Sequence, residues 1–413
     1  MNTATSADFD LSSVSTLGNL LLEKVEAMRE VDPVYWSEKN QAWFVTGHAQ
    51  AMEGLSGNLP LSARRLPFFA AALVPEEERQ KRLPYLMSAT KHWLLNMDAP
   101  EHPRLRRLMT KAFSKPIVEA LRPHVRRFVG ETLDDAGAKG EVEFVSEVAR
   151  RIPARTILRQ LGLSDDLVPR LHQWSIILNT LGNVHVPIDK LVEIENLLLE
   201  LRSLFIPEIE ARRKQPREDF LSALVTANES GDQLSEEEML GICYITLIAG
   251  HDTTANTIAL GTAALAQHPE AREHLREQPQ SIGTAVMELS RYIAMSTAQA
   301  RLVSEDFTWH GHDIKKGQFA LIFIAGANRD PKLFPNPEQM DFSRRQDSNM
   351  TFGPGVHHCI GHLLAKMQLG EFFPELVRRF EPEMLDRHLD FATTLGFRGL
   401  NTLHVRLRPR LSA

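Results

Sequence analysis

Cysteine is nearly missing from this chain. Two in 413 residues, Cys243 and Cys359, cannot build a disulfide framework, and a reducing compartment is expected. Long apolar runs are missing too. No stretch approaches the roughly 18 uninterrupted apolar residues that would suggest a membrane helix. The nearest candidate, 240–265, is broken close to its centre by His251, Asp252 and Asn256. The opening, MNTATSADFDLSS, lacks the basic stretch and apolar core of a signal peptide. A cytoplasmic protein without a membrane anchor is therefore expected. There is no excess of positive charge: Lys and Arg total 47 against 53 Asp and Glu, for a net charge of −6. The bulk balance thus points neither to nucleic acid nor to an anionic membrane. Internal repeats and low-complexity segments are also absent.

What is present is an ordinary globular composition, 43% hydrophobic and 24% charged, long enough to bury a large core. Apolar residues three and four apart predict helices over 14–30, 102–113, 117–135, 143–162, 165–181, 189–213 and 281–293. Short strands are expected at 34–36, 42–45, 300–303, 307–309 and 319–324, and a β-hairpin over 390–410. Residues 60–100 hold five prolines and no clear period, so they read as a long irregular connection, a kind of segment often used in binding. LGNVHVP at 181–187 reads as a loop, and 328–350 as coil. The longest helix should run over about 236–267. Ser235 and Glu238 fit a capping box at its start, and Pro269 marks its stop. Such a helix is roughly 48 Å long at about 1.5 Å per residue, so its middle must be buried. Cys243 lies in its apolar part, as a buried free thiol would.

Local rules are broken in the middle of that helix, at Ala249-Gly250-His251-Asp252-Thr253-Thr254. Glycine and the four residues after it together lose about 3 kcal/mol of helix propensity. Losses of that size tend to mark function. Glycine permits a ligand to come close, and an acid beside an alcohol can relay protons; a tolerated kink is the alternative. Elsewhere, Glu288 and Arg291 share a helix face, which by itself usually means a solvated pair of little worth. His102 and Arg106, one turn apart, could hold a carboxylate or phosphate; an exposed basic face is the plainer reading.

The last irregularity is FGPGVHHCIG at 352–361. Its glycines allow positive φ and close backbone packing. Backbone N–H groups and the helix start just after Cys359 would stabilise a thiolate. A zinc ion needs four ligands, and His357, His358, Cys359 and His362 are too close in sequence to wrap one tetrahedral ion. A cysteine hydrolase would need a base, and no acyl-transfer motif is visible. Haem iron needs one sulfur and no other protein ligand, which suits this chain.

Taken together, these residues resemble the cytochrome P-450 superfamily of haem-thiolate monooxygenases, in its soluble bacterial type, over nearly the whole chain. The signature F-G-x-G-x-H/R-x-C-x-G is matched by Phe352, Gly353, Gly355, His357, Cys359 and Gly361. Ala249, Gly250, Asp252, Thr253 and Thr254 match the A/G-G-x-D/E-T-T stretch. Glu288 and Arg291 match E-x-x-R, Arg344 looks like the arginine completing that network, and N-R-D-P stands at 328–331. The chain departs from the family at Ala294-Met295, where proline is frequent, at Ala365-Lys366-Met367-Gln368 in place of A-R-x-E, and at His404.

The resemblance implies a mainly α fold, a helix-rich prism with a long central helix and small β-sheets. It implies one domain over 1–413 with no fused reductase or ferredoxin domain. Cys359 would be the axial ligand of the iron of haem b. His102, Arg106, Arg301 and His357 would hold the propionates, and Phe352 would pack beside the thiolate. Gly250 would leave room for dioxygen, and Asp252 and Thr253 would deliver protons to it. Glu288, Arg291 and Arg344 would be structural.

The implied reaction inserts one oxygen atom from O2 into a lipophilic small molecule (terpenoid, steroid, fatty acid or polyketide-like) by hydroxylation or epoxidation. Electrons would come from a ferredoxin or flavodoxin and an NAD(P)H reductase. A monomer is expected. By resemblance the pocket is lined by 84–95, 174–186, 244–248, 295–298 and 400–402. Arg64 and Arg65 read as surface charges, with a role in holding a substrate carboxylate as the alternative. Arg104, Arg107, Lys111, His358 and Lys366 are expected to form a basic face for an acidic ferredoxin. The rival functions are a peroxide-driven or non-oxygenating haem-thiolate enzyme and a non-catalytic haem binder or sensor.

Overall fold

The structure, a computed structural model, describes residues 8–11, 18, 20–65, 74–182, 186–229, 232–392 and 394–410. They gather into two compact units. One comprises 1–61, 125–152 and 253–413, and the other 62–124 and 153–252.

In the first unit, strands Val34–Ser37, Ala42–Val45, Phe319–Ile322 and Gln299–Val303 lie side by side in that order. The outer pairings are antiparallel, while Phe319–Ile322 runs parallel to Ala42–Val45. Aromatic and β-branched residues favour such strands, and the sheet buries Val34, Trp43, Val45, Val303 and Ile322 in one cluster. The register sets Arg301 opposite Ala320. A second sheet joins Phe380–Met384, His404–Pro409 and Glu141–Glu143. The single hairpin expected over 390–410 is therefore divided. Asp390–Phe391 pairs with Leu400–Thr402, while His404–Pro409 leaves for Phe380–Met384. Alternation predicts a strand and its faces, but not its partner. Helices Ile282–Ile293 and His362–Arg379 complete what positions the site.

The second unit holds Glu101–Ala112, Val168–Asn179, Ile188–Lys214 and Glu236–Ala249, close to the bounds expected from periodicity. Residues 60–100 differ from expectation. They contain helices Glu76–Arg82 and Pro84–Ala89 and two 3-10 turns. EEERQKR has no apolar face and buries nothing, so no period betrays it, and Pro84 begins the next helix rather than breaking it. Residues 66–73 of that segment lie outside the described residues, as do 183–185 of the expected loop and most of 12–19 at the start of the first helix, seen here as Leu20–Val31.

The long central helix is interrupted. It forms as Glu236–Ala249 and Asp252–Gln267, with Gly250 and His251 between. The break falls where the loss of local propensity was greatest. The capping box is present: Glu238 N–H donates to Ser235 Oγ at 3.2 Å and Ser235 N–H to Glu238 Oε2 at 2.8 Å. The second piece stops two residues before Pro269.

Candidate active site

The loop carrying Cys359 is shaped by its glycines. Gly353 and Gly355 have φ of 70° and 73°, in the left-handed region that costs other residues about 1–2 kcal/mol. A Cβ on Gly355 would stand 2.2 Å from the carbonyl oxygen of Leu55, so backbone approach demands glycine there as well. The loop closes on itself: Cys359 N–H donates to Phe352 O at 2.8 Å, and Gly353 N–H to Met350 O at 2.8 Å. Two residues past Cys359, Gly361 caps helix His362–Arg379. A Cβ there would meet Cys359 Sγ at 4.0 Å, an ordinary contact. The thiol is partly exposed, whereas Cys243 is fully buried and burial pushes its thiol well above the usual range. His357 is partly exposed on the turn before Cys359, and Arg301 is buried in its strand. Lys366 Nζ lies 5.3 Å from the centre of the Phe352 ring.

Glu288 and Arg291 are not a solvated pair, because both are fully buried. Arg291 Nε and Nη2 donate to the two Glu288 oxygens at 2.8 Å each. Its remaining N–H groups donate to the carbonyls of Asn328, Pro337 and Gln339 at 3.1, 2.8 and 3.0 Å. Arg344 Nε donates to Glu288 Oε1 at 3.2 Å, and Asp341 N–H to the same oxygen at 3.1 Å. Gln346, which no sequence signal marked, donates to Glu288 Oε2 at 3.3 Å. The network pins the coil after residue 328 to helix Ile282–Ile293. Asn328 Oδ1 extends it by accepting from Met350 N–H at 2.7 Å, just before the cysteine loop.

In the second unit, helix Glu101–Ala112 carries buried His102 and partly exposed Arg106. Asp252 stands at the start of helix Asp252–Gln267, and Thr253 follows it. Asn179 Nδ2 donates to Asp252 Oδ2. His251 Nδ1 lies 3.0 Å from Asp252 Oδ1 and 3.0 Å from Ser175 Oγ. Asn179 and Ser175 lie on helix Val168–Asn179, more than 70 residues from Asp252, and nothing in the sequence tied them to it. His251 occupies the unspecified position of the A/G-G-x-D/E-T-T stretch, so the motif gives it no role. At Gly250, a Cβ would stand 2.5 Å from Ile157 Cδ1 and 2.7 Å from Thr246 O, so packing alone requires glycine there. Gly250→Ala is expected to cost about 1–3 kcal/mol, read as a lower urea midpoint. Two of the segments expected to line a pocket, 84–95 and 244–248, meet in this unit, where the Tyr85 and Tyr244 hydroxyls lie 2.9 Å apart; a third, 174–186, reaches through Ser175 to His251, just beyond them.

Two of the expected basic-face residues are committed elsewhere. Arg104 pairs with Asp232 at 2.8 Å and with Glu238. Lys366 rests on Phe352, and burial lowers its pKa. Arg107 and Lys111 are exposed.

The cytochrome P450 family model matches residues 75–397. The chain is 34% identical over 361 residues to the mycinamicin IV hydroxylase/epoxidase of Micromonospora griseorubida, covering 87% of this chain and 86% of that protein. It is 30% identical over 391 residues to the polyketide biosynthesis cytochrome P450 PksS of Bacillus subtilis, covering 92% and 94%. Among solved structures, P450BioI in complex with hexadec-9Z-enoic acid-ligated acyl carrier protein is similar. The TM-score is 0.87 at 28% identity, over 96% of this chain and 100% of that one. The chain belongs to the cytochrome P450 family. It has the fold of that family and is a haem-thiolate monooxygenase whose cofactor is haem b.

The residues present fit that cofactor. The donor set is one partly exposed sulfur on a loop held by its own backbone. Among the described residues, no group of three or more His, Cys, Asp and Glu could hold a metal ion. Nor is any helix there long and apolar enough to cross a membrane.

Proposed function

We propose that this enzyme inserts one oxygen atom from O2 into a lipophilic acyl or polyketide-like molecule, by hydroxylation or epoxidation. Cys359 would ligate the iron, and His102, Arg106, Arg301 and His357 would hold the propionates. Bound haem supplies the one-electron and dioxygen chemistry, and the thiolate pushes electron density toward O–O cleavage. The observation that carries the reading is Asp252, held between Asn179 and His251 and followed by the Thr253 hydroxyl. In this reading the carboxyl of Asp252 passes a proton to the Thr253 hydroxyl, which passes its own to the reacting oxygen. Gly250 keeps the backbone clear for dioxygen. The relatives named for mycinamicin and for polyketide biosynthesis support the substrate class.

Thr253→Ala tests the reading. Product formation should fall by about 10²-fold, while NAD(P)H consumption continues and yields peroxide. A peroxide-driven enzyme or a sensor would be little affected. Asn179→Ala removes a hydrogen bond to a charged group, worth about 1.5–3 kcal/mol. It should cut product per NAD(P)H about tenfold and raise the solvent isotope effect, with the Soret spectrum unchanged.

Electrons come, in this reading, from an acidic ferredoxin or a flavodoxin with an NAD(P)H reductase. Docking would rest on Arg107 and Lys111 rather than on Arg104 and Lys366. Neutralising Arg107 and Lys111 should slow reduction at low salt and flatten its salt dependence; an unchanged rate at low salt would rule that face out. One catalytic domain acting as a cytoplasmic monomer completes the proposal.

A further inference from the structure

Arg64 and Arg65 stand side by side and differ sharply. Arg64 is exposed, 2.8 Å from Glu101 Oε2 and 3.7 Å from Asp98. It is the surface charge expected of it. Arg65 is not. Its backbone N–H donates to Asn96 Oδ1 at 2.9 Å, and buried Asn96 in turn donates to Thr90 O at 3.2 Å. The base of the side chain is thus fixed. Among the described residues the guanidinium reaches carbonyls, with Nη1 at 3.4 Å from Ala63 O and 3.3 Å from Leu95 O. Both contacts are long for hydrogen bonds.

Among the described residues, no carboxylate forms an ion pair with Arg65. The adjoining stretch 66–73, LPFFAAAL, contains no acid. Burial pushes the Arg65 pKa down to about 10, yet the residue keeps part of its surface open. The guanidinium is thus desolvated, yet the described residues cover it only in part. Charges in such places are costly unless something pairs them. The planar fork of arginine fits a carboxylate through two parallel hydrogen bonds.

We propose that Arg65 anchors a carboxylate which the chain itself does not supply, either the acid group of a substrate or a propionate of the haem. The second source rests on the haem-thiolate reading; the first adds to it that the lipophilic substrate carries an acid end.

The test uses purified holoprotein: the parent, Arg65→Gln and Arg65→Lys. A carbon-monoxide band near ~450 nm in each checks the haem-thiolate reading apart from this proposal. Dodecanoate and its methyl ester are then titrated by spin-state shift, and haem loss to excess apomyoglobin is timed. If a substrate acid is the ligand, the parent prefers dodecanoate at least about tenfold. Arg65→Gln then abolishes the preference without hastening haem loss. If a propionate is the ligand, haem leaves Arg65→Gln at least about tenfold faster than the parent. Arg65→Lys is then intermediate, and the acid-to-ester ratio is unchanged. Should Arg65→Gln not fold, Arg65→Lys, which keeps the charge and loses the fork, gives the same readouts. A parent with no preference for the acid, including no binding of either probe, together with unchanged haem loss in the variants, overturns the proposal.

Discussion

Glu288→Ala is expected to yield little or no folded protein. Glu288 and Arg291 are both fully buried, and removing the carboxylate strands a buried charge inside the first unit. Breaking a buried pair by deleting one partner costs about 3–5 kcal/mol, a large share of the roughly 5–15 kcal/mol that holds a typical domain together. The damage spreads because the same carboxylate accepts from Arg344, Asp341 and Gln346. The coil that leads into the cysteine loop would lose its attachment to helix Ile282–Ile293. Glu288→Gln keeps the shape and loses the charge, so it should be destabilised less. Soluble yield, urea midpoint and haem content read the effect together. A Glu288→Ala protein with the midpoint and haem content of the parent would show that the network is dispensable.

Cys359→Ala should abolish oxidation while Cys243→Ala leaves it nearly intact. The two sulfurs differ in setting. Cys359 sits on a glycine-shaped loop ahead of a helix N-terminus, with its thiol partly exposed, the kind of environment that favours a thiolate. Cys243 is enclosed in helix Glu236–Ala249, where burial keeps it a neutral thiol. Losing the axial ligand should lower turnover at least about a thousandfold, which is some 4 kcal/mol of barrier, and remove the ~450 nm carbon-monoxide band. Losing Cys243 removes one small buried group, at a cost of about 1–2 kcal/mol in stability and none in the spectrum. Equal loss of activity in both variants would contradict the assignment.

Much of this architecture was legible because it rests on local physics. The capping box at Ser235 and Glu238, the stop before Pro269 and most helix bounds follow from side chains acting on neighbouring backbone. The cysteine loop was legible for the same reason, since Gly353 and Gly355 declare positive φ. The break in the central helix was foreshadowed by its summed propensity loss, though not as a gap of two residues. What stayed hidden depends on partners far along the chain. The partner of strand His404–Pro409, the Asn179 and Ser175 contacts near Asp252, and the carbonyls that complete Arg291 leave no local mark. Arg65 is the sharpest case. Beside Arg64 it reads as one of two surface charges, and only the fold shows that, among the described residues, Arg64 has carboxylates beside it and Arg65 pairs with none.

The carbon-monoxide difference spectrum of the dithionite-reduced protein tests the central claim most directly. A Soret band near ~450 nm is predicted, because Cys359 should remain a thiolate on the iron. A band only near ~420 nm, in freshly purified and folded protein, would mean that the sulfur is protonated, lost or replaced, and would contradict the monooxygenase account.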